Sequence, residues 1–287
     1  MTLLSNVRIG NPTSSEIVAL VSSGRRNMTE DELKQYKIDN PKGTRKTIDD
    51  YGAPFYTYVE ECIMERFFKL KLENETDVKA FSWGKMCEVI VHDLLPTDYT
   101  MMSEDTFQHH DIKELYGTPD GAKKLVINFE GNGFFIGTAE TVSETKCPLT
   151  RKAFYNLIKH LYDFDGVTVT KKKNIDGNAI IQLVRKDSKE GEKYYWQIIN
   201  NANILKAKFG ELIIFMPYYE DLETIKEYNR SLDEPYWLIE RAKEGELPYI
   251  YKESGIENLN IIRFKIPLED KKFLEERVKK AIELINK

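Results

Sequence analysis

The residues in this chain best suited to chemistry are Asp120 and the triplet Glu144-Thr145-Lys146. Asp120 sits in the bend Pro119-Asp120-Gly121, where it can point a carboxylate off the start of a strand pair. Glu144 and Lys146 are two positions apart, so on a strand both side chains leave the same face. Mg²⁺ takes oxygen ligands, usually one or two carboxylates, with waters and substrate phosphate completing the shell. A carboxylate that holds such a cation, beside an ammonium that offsets charge on phosphate oxygens, suits phosphodiester hydrolysis. Glu88 joins the set if its helix packs on the sheet edge, because a glutamate on an apolar face needs a partner. Each piece alone is ordinary: E-x-K pairs are common on strands, Pro-Asp-Gly is a frequent turn, and an isolated Glu88 would pair with a lysine. Glu140, on the same face as Glu144 if 134–146 is one strand, is a rival ligand.

The elements that would position these residues follow from periodicity. A short helix is predicted from Ser14 or Ser15, closed by Gly24. Residues 27–54, broken by Pro41, Gly43, Gly52 and Pro54, read as loop with one helical turn. Helices are predicted over 56–72 and 82–95, the second carrying Glu88. Strands are predicted over 125–130 and 134–146, joined by Gly131-Asn132-Gly133. A helix over 151–161, a hairpin of 167–170 with 179–184 turning at Asp176-Gly177, and a helix over 194–206 follow. A strand over 211–216, a variable stretch over 218–258, a strand over 260–266 and a closing amphipathic helix over 268–286 complete the chain. The order predicts an α/β fold, a central mixed sheet flanked by helices with inserted hairpins. One domain over 1–287 is expected: a helical part to residue 100, a sheet core over 101–217, an insertion over 218–258 and a closing unit over 259–287.

Composition sets bounds. The chain has 287 residues, enough to bury a core, with 41% hydrophobic residues, the level of a globular protein. A net charge of -5 predicts no basic surface overall, so any nucleic-acid path needs local positive charge. The first residues lack a basic and then apolar leader, and no apolar run reaches membrane-spanning length. Cys62, Cys87 and Cys147 are too few for a disulfide framework or a four-thiolate centre. A reduced, cytoplasmic protein is expected.

Taken together, four stretches resemble the PD-(D/E)xK nuclease superfamily, and within it the phage lambda exonuclease and YqaJ-type viral recombinase family. Ala80-Phe81-Ser82-Trp83-Gly84-Lys85 with Glu88 is similar to the family's helix bearing its first acidic residue. Thr118-Pro119-Asp120-Gly121 resembles its "SPDG" turn. Ser143-Glu144-Thr145-Lys146-Cys147-Pro148, followed by Arg151 and Phe154, resembles its "E-x-K-C-P" strand and helix. Tyr194-Tyr195-Trp196-Gln197 resembles the helix that presents a glutamine.

The resemblance implies a restriction-endonuclease-like core. It makes Asp120 and Glu144 metal ligands, Glu88 a further acidic residue of the metal site, Lys146 the catalytic lysine and Gln197 a water- or substrate-positioning group. Two Mg²⁺ ions per site are implied, with Mn²⁺ as substitute. Ser15-Glu16 and then Arg25 resemble the family's pocket for a DNA 5′-phosphate, a role Arg26 fits equally well by spacing. The implied activity is 5′→3′ exonuclease digestion of double-stranded DNA ends, leaving 3′ single strands for recombination. A homotrimer and a phage single-strand annealing partner are implied with it. An endonuclease or repair nuclease on the same core, or an inactive DNA-binding protein, are the alternatives. The Asp120–Glu144 spacing is longer than the family's, and 162–192 and 218–258 read as insertions. His109-His110, in a polar stretch, are expected to be solvent-exposed. Lys171, Lys172 and Lys173 are expected at a hairpin tip, and Trp83, Tyr194 and Tyr195 in the core.

Overall fold

The computed structural model describes residues 8–72, 78–102, 105–131, 133–243 and 245–287. The strands are β1 (Ser23–Asn27), β2 (Thr47–Tyr51), β3 (Tyr99–Met101), β4 (Phe107–Gln108), β5 (Tyr116–Gly117), β6 (Gly121–Lys123) and β7 (Val126–Gly131). They continue with β8 (Phe134–Thr138), β9 (Thr141–Lys146), β10 (Tyr162–Phe164), β11 (Val169–Lys171), β12 (Phe209–Phe215) and β13 (Leu259–Lys265). The helices are α1 (Ile17–Leu20), α2 (Glu30–Asp39), α3 (Ala53–Phe68), α4 (Val78–Leu94) and α5 (Arg151–Ile158). After them come α6 (Gly177–Asp187), α7 (Lys189–Ile204), α8 (Leu222–Ser231), α9 (Trp237–Glu240) and α10 (Leu268–Ile285).

The architecture is the predicted α/β one. A five-stranded mixed sheet has the order β13-β12-β9-β6-β3, with β9 and β12 parallel and the other pairs antiparallel. β12, Phe-Gly-Glu-Leu-Ile-Ile-Phe, is an almost unbroken apolar run, as a strand covered on both faces must be. Alternation along it divides the core. Leu212 and Ile214 join Val142, Ile198, Phe264 and Leu274 on one side, whereas Ile213 and Phe215 join Trp83, Met86 and Ile225 on the other. The stretch 218–258 supplies α8 and α9, whose Leu222, Ile225 and Ile239 pack with Trp83 and Met86 of α4. It thereby buttresses the helix that carries Glu88.

Several sequence expectations are corrected. The helix expected to end at Gly24 is one 3₁₀ turn, Ser14–Glu16, followed by the four residues of α1, and Gly24 lies within β1. The loop expected over 27–54 contains α2 and β2; Thr29 and Glu32 form a capping box at the start of α2, a signal present in the sequence. The hairpin expected at Asp176-Gly177 is instead a helix start. Asp176 accepts a hydrogen bond from the Asn178 amide at 2.9 Å, and Ile180, Ile181 and Val184 are buried at helical spacing on α6. A Cβ at Gly177 would meet the Arg263 carbonyl at 1.7 Å, so glycine here allows helix to touch strand rather than chain to turn. β11 pairs backward with β10. The strand expected over 134–146 splits at Ala139-Glu140 into β8, in a second four-stranded sheet of order β5-β4-β8-β7, and β9. The expected turn residue Asn132 lies outside the described residues. No described helix is long and apolar enough to cross a membrane.

Candidate active site

Glu144 and Lys146 leave the same face of β9, as their spacing requires. Glu144 is 5% exposed, and Lys146 Nζ lies 2.7 Å from its Oε1. Asp120, one residue ahead of β6, accepts a 2.7 Å hydrogen bond from the Thr145 amide through Oδ2, which sets its carboxylate beside the end of β9. A Cβ at Gly121 would stand 2.7 Å from Ser143 Oγ, so the glycine after Asp120 lets β6 lie closely on β9. Burial, and then Asp120, push the Glu144 carboxyl up to about 7, against the opposing pull of Lys146. Burial works against the charge on Lys146, but Glu144 and Asp120 outweigh it and hold the ammonium firmly protonated.

Glu88, on α4, faces the same place from across a cleft of about 520 Å³ lined by Lys85, Glu88, Lys146, Lys152, Asn156 and Tyr194, among others. Its carboxylate is 3.0 Å from Lys85 Nζ. Burial and Asp120 raise its pKa, while Lys85 and Lys146 oppose that. The three carboxylates are not drawn into one ligand set: among the described residues no three His, Cys, Asp or Glu side chains are grouped to hold a metal. Two carboxylates suffice for Mg²⁺ when water and phosphate complete the shell, and the pair Asp120–Glu144 fits that need. The buried Glu144 charge, only partly met by one lysine, is what a hard cation would offset.

α7 closes the site from the side of the sheet that Glu144 faces. Ser188 caps its start, accepting from the Gly191 amide at 3.1 Å. Tyr194 places its ring 4.9 Å from Lys146 Nζ, and Asn201 Nδ2 reaches Glu144 Oε2 at 3.5 Å. Gln197 lies between them at helical spacing, 7% exposed, and its Oε1 has no hydrogen-bond partner. Ser14 Oγ in turn donates to Asn201 Oδ1 at 2.6 Å. Sequence reasoning missed Asn201 and Ser14. Asn201 was discoverable as the residue one turn after Gln197, but the partners of the Ser14 hydroxyl, Asn200 and Asn201, are distant from it in sequence. Tyr194 packs against the core and also lines the cleft, whereas Trp83 and Tyr195 are fully core residues, 1% and 0% exposed.

The other candidates lie elsewhere. Arg25 projects from the β1–β2 ribbon with its side chain 70% exposed, 3.2 Å from Asp49, and it lines a separate cleft with Tyr51 and Arg277. Arg26 pairs with Glu32 at 2.6 Å and with Asp50 at 3.1 Å. Ser15 is exposed, its Oγ 3.1 Å from Thr13 Oγ1, while its neighbour Ser14 turns inward. Glu140 is not on the Glu144 strand at all; it lies in the bend before β9 and pairs with Lys124 at 3.0 Å. The two histidines are not solvent-exposed. His109 is 5% exposed, its Nδ1 accepts from the Asp111 and Ile112 amides at 3.1 Å, and His110 lies 2.8 Å from the Gly137 carbonyl. Lys171 pairs with Glu257 and Lys172 with Asp163.

No protein-family profile and no curated protein matches the sequence. Solved structures do match. The alkaline exonuclease LHK-Exo from Laribacter hongkongensis superposes with a TM-score of 0.51 at 13% identity, over 99% of this chain and 91% of that one. The same enzyme in complex with dAMP gives a TM-score of 0.50 at 12% identity, with the same coverage. A phage-related exonuclease from Haemophilus somnus gives 0.51 at 11% identity, over 96% of this chain and 93% of that one. Over nearly its whole length the chain therefore has the fold of these exonucleases, the nuclease fold that its sequence motifs resemble.

Proposed function

We propose that this protein is a Mg²⁺-dependent deoxyribonuclease, acting as a 5′→3′ exonuclease on double-stranded DNA ends. The observation that carries the reading is the buried Glu144–Lys146 pair beside Asp120, with Lys146 lining a cleft that Glu88 also lines. The fold shared with LHK-Exo and the phage-related exonuclease supports it.

Asp120 and Glu144 would hold Mg²⁺, or Mn²⁺ in its place, with Glu88 acting from across the cleft and two ions per site. Bound there, the metal would polarise the scissile phosphate and make water a better nucleophile. Lys146, held protonated, acts as a donor that offsets charge on the phosphate oxygens and not as the base that takes a proton from water. Gln197, on α7 between Tyr194 and Asn201, would orient the attacking water through its Oε1, a buried acceptor with no hydrogen-bond partner. Lys85 and Lys152 give the cleft local positive charge for a backbone that the chain, at net -5, does not attract overall. Ser15 and Arg25 are proposed to meet the terminal 5′-phosphate. The 3′ strands released would serve phage-type recombination, with a homotrimer and a single-strand annealing protein as the assembly.

The test is digestion of linear, nicked and covalently closed duplexes in Mg²⁺, with and without a 5′-phosphate. Loss of the linear form alone supports the exonuclease. Cutting of closed circles would replace it with an endonuclease, and no cutting of any form would leave a DNA-binding protein.

A further inference from the structure

Asn200 and Asn201 are 0% and 1% exposed in the middle of α7. Asparagine is a poor helix former, and buried amides cost stability unless they are satisfied. Two of them side by side therefore point to a role other than holding the helix. Their partners define that role. Asn200 Nδ2 donates to Ser14 Oγ at 2.8 Å, so the hydroxyl proton of Ser14 is free to go to Asn201 Oδ1, 2.6 Å away. That leaves the Asn201 amino group as the end facing Glu144 Oε2 at 3.5 Å. The carboxylate, an acceptor only, demands the same orientation from the other side. Lys146 occupies the other oxygen, Oε1, at 2.7 Å. Gly117, three residues before Asp120, roofs the arrangement. A Cβ there would lie 2.4 Å from Asn201 Oδ1 and 2.5 Å from Ser14 Oγ.

We propose that Asn201 is a positioning residue for Glu144, its amide locked by Ser14 under Gly117, and that this lock sets how tightly the site takes a divalent cation. The proposal deepens the metal-site reading above and rests on it. A carboxamide is the smallest side chain that accepts from a serine at one end and donates to a carboxylate at the other. An alanine or leucine at 201 loses both contacts, and an aspartate would set a second negative charge against Glu144. Without the Ser14 hydroxyl the amide is free to turn its oxygen toward the carboxylate. The serine thus acts only through the asparagine.

The test is calorimetric titration of Mn²⁺ into the full chain without DNA, alongside far-UV circular dichroism. Asn201→Ala should weaken Mn²⁺ binding by about 10–100-fold, the range for losing a group that orients a metal ligand. Ser14→Ala should weaken it by about tenfold, and the double variant should be no weaker than Asn201→Ala alone. Should Asn201→Ala fail to fold, Asn201→Leu, which fills the space, and Ser14→Ala carry the same comparison. Folded variants that bind Mn²⁺ like wild type, while Glu144→Gln does not, would overturn the positioning role and leave the metal site standing. If Glu144→Gln also binds like wild type, the metal-site reading fails and takes this proposal with it.

Discussion

Replacing Lys146 by methionine keeps an apolar stem beside the Tyr194 ring but removes the ammonium 2.7 Å from Glu144. At that separation the attraction is about 6 kcal/mol for an effective dielectric near 20, before desolvation is set against it. The side chains are 6% exposed for Glu144 and 22% for Lys146, so the lysine retains some water and has less hydration to lose. Breaking such a pair by removing one partner costs roughly 3–5 kcal/mol, and the partial exposure puts this pair near the lower figure, about 3 kcal/mol. Asp120 nearby makes the loss worse, since two carboxylates are left facing each other. Glu144→Gln removes the charge that Lys146 was neutralising. The double variant should therefore recover about 2 kcal/mol of what the single changes lose together. Urea unfolding in EDTA of wild type, both single variants and the double measures this coupling. Losses that add within about 0.5 kcal/mol would refute the buried pair as described.

Asp120→Ala and Lys146→Ala should each lower the rate of DNA digestion by at least about 10²–10⁴-fold, measured on linear duplex in Mg²⁺ with folding confirmed by circular dichroism. Glu140→Gln should stay active while Glu144→Gln does not, because Glu140 lies in the bend before β9 and pairs with Lys124; an inactive Glu140→Gln would contradict that placement. Arg25→Ala should slow digestion of 5′-phosphorylated duplex and spare 5′-hydroxyl duplex at one fixed salt concentration. Equal slowing would make Arg25 a general backbone contact. His109, lowered from 6.5 to about 4 mainly by burial, contributes stability that is complete above pH 6.5 and lost as pH falls toward 4. His109→Asn keeps an acceptor near Nδ1 but does not titrate. Over that window wild type should lose up to about 3 kcal/mol more than the variant, and parallel urea-unfolding curves would exclude His109 as the cause.

Much of the fold could be read from local pattern where that pattern had one meaning. β12 and β13 alternate or run apolar over short lengths, and α3, α4, α7 and α10 carry long helical periods, so these elements were found with shifted ends. Asp176-Gly177 misled because the same two residues suit a hairpin turn and a helix cap. Contact of Gly177 with β13, remote in sequence, selected the cap. The split at Ala139-Glu140 was invisible for a similar reason. The Ala139 amide finds the Leu205 carbonyl and the Glu140 amide finds that of Lys123, and both partners are distant or on another strand. That split moved Glu140 away from Glu144.

The site divides along the same line. Glu144 and Lys146 share a face because strands alternate, and Asp120 belongs to a turn, so spacing alone was enough to nominate them. Their burial, the protonation of Lys146 and the approach of Glu88 across the cleft depend on which helices cover the sheet. The same holds for Ser14 and Asn201, 187 positions apart and joined by one hydrogen bond. Periodicity acts between neighbours in sequence and can be read from it. Desolvation and long-range hydrogen bonds act between neighbours in space, and only the folded chain decides which residues those are.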